Sequence, residues 1–406
     1  MSRAPNVLIL LVDCMRADAL GGREAPTPTF DALRARGVSF GQAISSTSTT
    51  TPCVASMLTG TYSPRHGVRS IGGERLHPSL ATLPELLRDA GYHTVAEVTG
   101  PLGPESGVDR GFVEYNVRPA SVYLSDDWGQ ALIRRIQQRE LPEPWFLFLH
   151  LWELHTPRKV SATHRGRDHG GNRYNRALAS LDSTLAPLIA AVPEDSLILL
   201  HGDHGERLID GYFAYRWYRL QRDLLGARRV QKREGHESDV YEVLIRVPLL
   251  IVAPERMPAG MRVDQLVRQI DIMATLLDLL DHPVPPDLDG VSLVPAAFAG
   301  VDLELEAFVE ACGRVFGAPS ERRHGWRTPQ WKYIAAPYAP EVPVELYDLA
   351  QDPQERHNVA TTHPEMVAEL RARVADVEAR AAAPETLSAD EQAIVEQRLR
   401  DLGYLE

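Results

Sequence analysis

Residues 7–13 read Val7-Leu8-Ile9-Leu10-Leu11-Val12-Asp13. Six apolar residues in a row leave a strand no polar face, so it must be covered on both sides, as in a parallel sheet layered between helices. The carboxylate that ends the run stands where open α/β sheets gather ligands, at the carboxyl end of a strand. Working outward, residues 94–98, 145–151, 196–200 and 248–252 read as further strands. Residues 30–37, 51–58, 83–90, 126–138 and 175–189 have helical spacing. Strands alternating with helices predict an α/β fold, with a large mixed, mostly parallel sheet between helices. Beyond about residue 300 the pattern changes. Short strands at 306–312, 331–335 and 345–349 precede a helical stretch at 364–383 and, after a polar break at 384–388, a last short helix. The expected division is residues 1–300, carrying an insertion at about 207–234, and a small α+β subdomain at 301–406.

The 406 residues carry 44% apolar and 24% charged side chains, an ordinary globular balance that excludes disorder. A net charge of -12 argues against a general nucleic-acid binder, which needs a positive surface to displace counterions. Cys14, Cys53 and Cys312 are too few for a disulfide framework and fit a reducing compartment. The opening apolar run is short for a signal peptide and no stretch reaches membrane-spanning length, so the expectation is a cytoplasmic protein without a membrane anchor. A homo-oligomer stays open.

Five motifs carry chemistry. Asp13 alone is either a hard-metal ligand or a cap for the next turn, but it continues into Cys14-Met15-Arg16-Ala17-Asp18. A hydroxyl-rich loop runs Ser45-Ser46-Thr47-Ser48-Thr49-Thr50-Thr51-Pro52-Cys53 and on to Leu58-Thr59-Gly60. A strand ends in His201-Gly202-Asp203-His204-Gly205-Glu206. Another runs through His150 into Glu153-Leu154-His155-Thr156-Pro157. Further on, Gly235-His236-Glu237 precedes Arg246-Val247-Pro248-Leu249. Together with Glu345-Leu346-Tyr347-Asp348-Leu349 and Leu402-Gly403-Tyr404-Leu405, these stand in the order of the landmarks of the sulfatase family, in the alkaline phosphatase superfamily, which the chain resembles over almost its whole length.

The resemblance implies a metal-dependent hydrolase of anionic esters. Registered on Pro52 and Leu58-Thr59-Gly60, Thr50 falls where sulfatases carry the Cys or Ser converted to formylglycine, and Val54 falls on the family's Arg. Thr cannot be the precursor of that aldehyde, but a metal-bound hydroxyl at a helix N-terminus can attack directly. The bland alternative makes Thr50 only the helix N-cap. A competing register makes Cys53 the modified residue. The resemblance further implies Asp13, Thr50, Asp203 and His204 as ligands of a divalent metal. Three oxygens and one imidazole favour Zn²⁺ or Mn²⁺, with Ca²⁺ possible; the thiol of Cys14 fits a calcium cage poorly. His155 and His236 take the catalytic places beside the substrate oxygens, while His150 reads as structural. A second ion helped by Glu153 or His155 is open.

The family's Lys-Trp-His element is replaced by Val98-Thr99-Gly100-Pro101-Leu102-Gly103. The expected substrate is therefore a small anionic phosphodiester, phosphonate or related phosphate ester. Alternatives are sulfuric ester hydrolysis, phosphotransfer to an alcohol acceptor, and a non-catalytic binding protein. The basic and aromatic stretch from Tyr212 to Arg233 reads as a lid over the pocket or as a helix packed on the body.

Overall fold

The structure, a computed structural model, describes residues 4–22, 24–208, 235–313 and 319–405. The proposed lid at 210–232 lies outside the described residues. The strands are β1 (Val7–Val12), β2 (Val38–Ile44), β3 (Glu74–Arg75), β4 (His93–Val98), β5 (Glu114–Val117), β6 (Trp145–Leu151), β7 (Leu197–Gly202), β8 (Arg246–Val252), β9 (Met261–Arg268), β10 (Ala307–Ala311), β11 (Arg323–Arg327), β12 (Trp331–Ala335), β13 (Glu345–Asp348) and β14 (Glu385–Thr386). Eight of them form one sheet in the order β5-β4-β6-β1-β7-β8-β2-β9. Its neighbours pair in parallel except around β8, which runs against both β7 and β2.

β1 sits in the middle and is buried at every residue. Strand geometry sends alternate side chains to opposite faces. Val7, Ile9 and Leu11 join a core built with the helices Thr50–Thr59, Leu83–Asp89 and Asp271–Leu279. Leu8, Leu10 and Val12 join another, built with Pro28–Arg36, Asp127–Gln137 and Arg173–Ala191. The uninterrupted apolar run thus serves two cores at once, which makes three layers.

The sequence pattern places the strands of this core well but misses β2, β5, β9 and the helix Asp271–Leu279. β2 reads Val-Ser-Phe-Gly-Gln-Ala-Ile and β9 reads Met-Arg-Val-Asp-Gln-Leu-Val-Arg, so polar residues interrupt both. They lie toward the β9 edge of the sheet, where one face can meet water and an apolar run is unnecessary.

A second sheet, β10-β11-β12-β13, is antiparallel throughout. Phe308, Tyr333 and Leu346 on it pack with Leu370 and Val374 of the helix Pro364–Glu378. A single bridge, Thr47 to Glu310, ties this sheet to the hydroxyl-rich loop. Among the described residues no helix is long and apolar enough to cross a membrane.

Candidate active site

Register builds the site. Val12 lies opposite Leu151 of β6 and Gly202 of β7, so the residues that follow leave the sheet side by side at its carboxyl edge. Asp13 and Asp203 therefore meet although 190 residues of chain separate them. The Cys14 and His204 amides both donate to Asp203 Oδ1, at 3.1 and 2.7 Å. Cys14 needs the left-handed conformation, φ 58°, to bring its amide there.

The loop after β2 delivers the hydroxyl. Ser45 Oγ donates to the Asp203 carbonyl at 2.5 Å, and Thr47 Oγ1 donates to the Thr49 carbonyl at 3.0 Å. The helix then begins at Thr50, with Thr49 as N-cap. Thr50 is thus the first helical residue, and the bland N-cap reading of its side chain does not hold. Its Oγ1 instead donates to Asp13 Oδ2 at 3.0 Å and lies 3.3 Å from His204 Nε2. Cys53, the rival nucleophile, is one turn further in. Its thiol bonds to the Thr47 carbonyl and sits by the Ser45 and Thr47 hydroxyls, and burial pushes its pKa up to about 12.

Hydrogen bonds to carbonyls, which only accept, assign the imidazole tautomers. His204 Nδ1 donates to Gly205 O at 2.9 Å, leaving the Nε2 lone pair toward Thr50 and 3.3 Å from Asp203 Oδ2. His155 Nδ1 donates to Thr156 O at 2.8 Å, and its ring stacks on Trp152 with centroids 3.9 Å apart. His150 Nδ1 faces Thr99 O at 3.2 Å, so Nε2 is the nitrogen that looks at Asp13 Oδ2, 3.5 Å away. The structural reading of His150 is therefore incomplete: one nitrogen ties down the strand end and the other faces the carboxylates. His236 sits beyond, its Nδ1 3.7 Å from Cys14 Sγ and 3.6 Å from Glu206 Oε2, and its ring 4.2 Å from that of His204. Glu153 turns away and accepts from the Leu124 amide at 2.8 Å.

The electrostatics fit a cation. Burial and the neighbouring Asp13 push Asp203 well above the carboxylate range. Burial also disfavours ionised Asp13, but His150, His155 and His204 hold it well below that range. Two fully buried carboxylates this close cannot both stay ionised without compensation. Asp13 Oδ1, Asp203 Oδ2 and His150 Nε2 are buried without a hydrogen-bond partner among the described residues. Asp13, His150 and Asp203 can each aim one ligand atom into a common space, those atoms lying within 4.8 Å of one another. Burial followed by the charge of His236 lowers His204 to about 3, which keeps its Nε2 an electron-pair donor. Orphaned oxygens, available imidazoles and a hydroxyl are donors that could hold a divalent metal ion.

Glu206 and Tyr404 complete the surroundings. Burial would raise Glu206, but His236 and Arg158 hold it at about 2; burial opposes protonation of His236, and Glu206 overrides it to lift that histidine above its ordinary value. Sequence reasoning gave neither Glu206 nor Tyr404 a role. Glu206 was visible at the end of its motif and Tyr404 within the stretch Leu402-Gly403-Tyr404-Leu405, but neither stretch shows which side chain it meets.

Comparison with known proteins bears on the family and the fold. The family model described as Sulfatase matches residues 5–282, and the model described as N-sulphoglucosamine sulphohydrolase, C-terminal, matches residues 237–380. The N-acetylgalactosamine-6-O-sulfatase of Bacteroides thetaiotaomicron is 23% identical over 93% of this chain and 94% of its own. The phosphonate monoester hydrolase of Agrobacterium radiobacter shares the fold with a TM-score of 0.71 at 20% identity, over 93% of this chain and 96% of that one. A structure in complex with its substrate D-glucosamine-2-N,6-O-disulfate superposes with a TM-score of 0.69 at 18% identity, over 94% and 98% of the two chains. With the first family model covering 278 of 406 residues, this chain is a hydrolase belonging to the sulfatase family.

Proposed function

We propose that this chain hydrolyses small anionic phosphorus esters, phosphodiesters or phosphonate monoesters, with Thr50 as its nucleophile. The observation that carries this reading is the placement of Thr50 Oγ1, buried at a helix start, 3.0 Å from Asp13 Oδ2 and 3.3 Å from His204 Nε2. A hydroxyl cannot become formylglycine from threonine, so the chain's own alkoxide is the group available to attack. Asp13, Asp203, His204 and Thr50 would hold a divalent metal, and His150 stands close enough to join them. When bound, that ion supplies charge that favours the alkoxide and stabilises the oxygens of the reacting ester.

The residues do the rest. Asp13 Oδ2 accepts the hydrogen bond of Thr50 and orients its oxygen. The helix Thr50–Thr59 presents its positive end to developing negative charge. His236, whose pKa Glu206 lifts above the ordinary histidine value against the effect of burial, is placed to donate toward non-bridging oxygens, and His155 serves the leaving-group side. Absence of the Lys-Trp-His element leaves fewer cations than a sulfate monoester site would use. The sulfated-sugar relatives favour sulfuric esters as the second reading. A panel of aryl sulfates, phosphate mono- and diesters and phosphonates, run on metal-stripped and metal-restored enzyme, tests both. Turnover of aryl sulfates above all phosphorus esters would overturn the phosphorus reading.

A further inference from the structure

We infer that Tyr404, brought in by the last helix of the chain, is a positioning residue for His155 and so a working part of the active site. The inference rests on the reading above, in which His155 serves the reaction.

His155 has two ring nitrogens, and Nδ1 already donates to the Thr156 carbonyl at 2.8 Å. Nε2 is left as an acceptor, and the Tyr404 hydroxyl lies 3.0 Å from it. The proton on that contact therefore belongs to Tyr404. Burial, with the Asp13 carboxylate nearby, raises the phenol well above its ordinary value, so it keeps that proton. With Trp152 stacked on the ring, the resting imidazole is held at both nitrogens and on one face, and Nε2 meets an ester only where the leaving-group oxygen takes the place of the Tyr404 hydroxyl. Asp13, Cys14 and His155 can also each bring a ligand-capable atom within 4.8 Å of the others, so the hydroxyl stands at the edge of the carboxylate cluster.

The contact is built in, since the backbone that carries Tyr404 is fixed by a helix C-cap. Gly403 adopts φ 80°, the left-handed conformation that glycine takes most readily. Its amide donates to the Arg400 carbonyl, and the Tyr404 amide donates to the Leu399 carbonyl, both at 2.9 Å. Those two bonds are the Schellman pair that ends a helix with the chain turned sharply aside. The helix Ala389–Asp401 is itself anchored: Arg398 spans both oxygens of Glu105 at 2.6 and 3.1 Å, and Arg75 pairs with Glu391. Leu399 and Val395 bury against Ile71, and Leu402 and Leu405 pack onto them. Sequence separation of 249 residues is thus spanned by a preformed element, and His155 gains its second partner only when the chain's last helix docks.

The test is a double-mutant cycle on the metal-restored enzyme with the best ester from the panel. Tyr404→Phe should lower kcat about tenfold, as loss of a histidine's orienting partner commonly does, with KM changed less than about twofold and the melting temperature unchanged. Combined with His155→Ala, it should cost nothing further. Leu405→Ala controls for packing, losing stability without losing kcat. Tyr404→Phe with kcat within twofold of the parent, or effects that multiply in the double variant, overturns the inference. A fully active His155→Ala would instead overturn the role given to His155.

Discussion

Two regions of the molecule bury charge, and they do it in opposite ways. In the C-terminal sheet Lys332 Nζ lies 2.8 Å from Glu355 and 3.3 Å from Glu242, and Arg327 Nε lies 3.3 Å from Glu242. Lysine and carboxylates there are almost wholly withdrawn from water, yet each acid faces a base. At the carboxyl edge of the large sheet, Asp13 and Asp203 are equally buried and face each other, with imidazoles around them and no Lys or Arg ion pair of their own among the described residues. One cluster is neutralised by the chain and holds structure together. The other is a deficit of positive charge that the chain leaves for something else to fill.

The largest expected effect breaks the second cluster at its hydroxyl. Thr50→Ala should lower kcat about 10⁴-fold, equivalent to about 5.5 kcal/mol of barrier, while circular dichroism and melting stay near the parent. Retained turnover would put the nucleophile elsewhere. Next, Lys332→Met removes the cation from the self-neutralised cluster. Leaving Glu355 buried without its cation, and Glu242 with Arg327 alone, should cost about 3–5 kcal/mol of stability in chemical denaturation, with kcat per folded molecule unchanged. A cost below about 1 kcal/mol would show that the two clusters are not opposites.

Metal addition sharpens the contrast. Zn²⁺ or Mn²⁺ at a hundredfold excess over its Kd should stabilise the stripped enzyme by about 2.7 kcal/mol, read as a rise in melting temperature. Asp203→Asn should abolish that rise and make the stripped protein more stable, because the Asp13–Asp203 repulsion is gone. An undiminished metal response in Asp203→Asn would remove Asp203 from the ligand set. The smallest effect is in pH. Burial would raise Glu242, but Lys332 and Arg327 outweigh it and hold it at about 2. Its stabilising contribution is therefore full above the unfolded value of about 4.3 and is lost as pH falls toward 2, at up to about 1.4 kcal/mol per pH unit. Lys332→Met should flatten that acid limb; an identical limb in parent and variant would assign it to other carboxylates.

Much of this was legible in the residues. The run Val7–Val12 needs cover on both faces whatever surrounds it, and the structure puts a separate core on each. Asp13 and the Asp203-His204 pair each end such a strand, so their arrival at the same edge follows from parallel pairing. Thr50 was placed by its distance from Pro52 and Gly60, and the turn before it does aim it at Asp13. The structural reading of His150 covers one of its nitrogens and not the other, for a physical reason. Its role depends on which strand pairs beside β6, and one strand's composition does not encode its neighbour's register. β2 and β9 escaped because strands near a sheet edge tolerate polar residues and so lose the periodic signal.

By itself the sequence determined what is local: buried strands, the residues at their ends, a hydroxyl before a helix, a glycine that ends one. Only the tertiary structure decided which of those ends meet. Strand register set Asp13 against Asp203 and turned His150 toward both, and the docking of a helix from the far end of the chain brought the Tyr404 hydroxyl to His155. Local chemistry is written in consecutive residues, whereas unpaired charge and a shared hydrogen bond arise only between segments that folding makes neighbours.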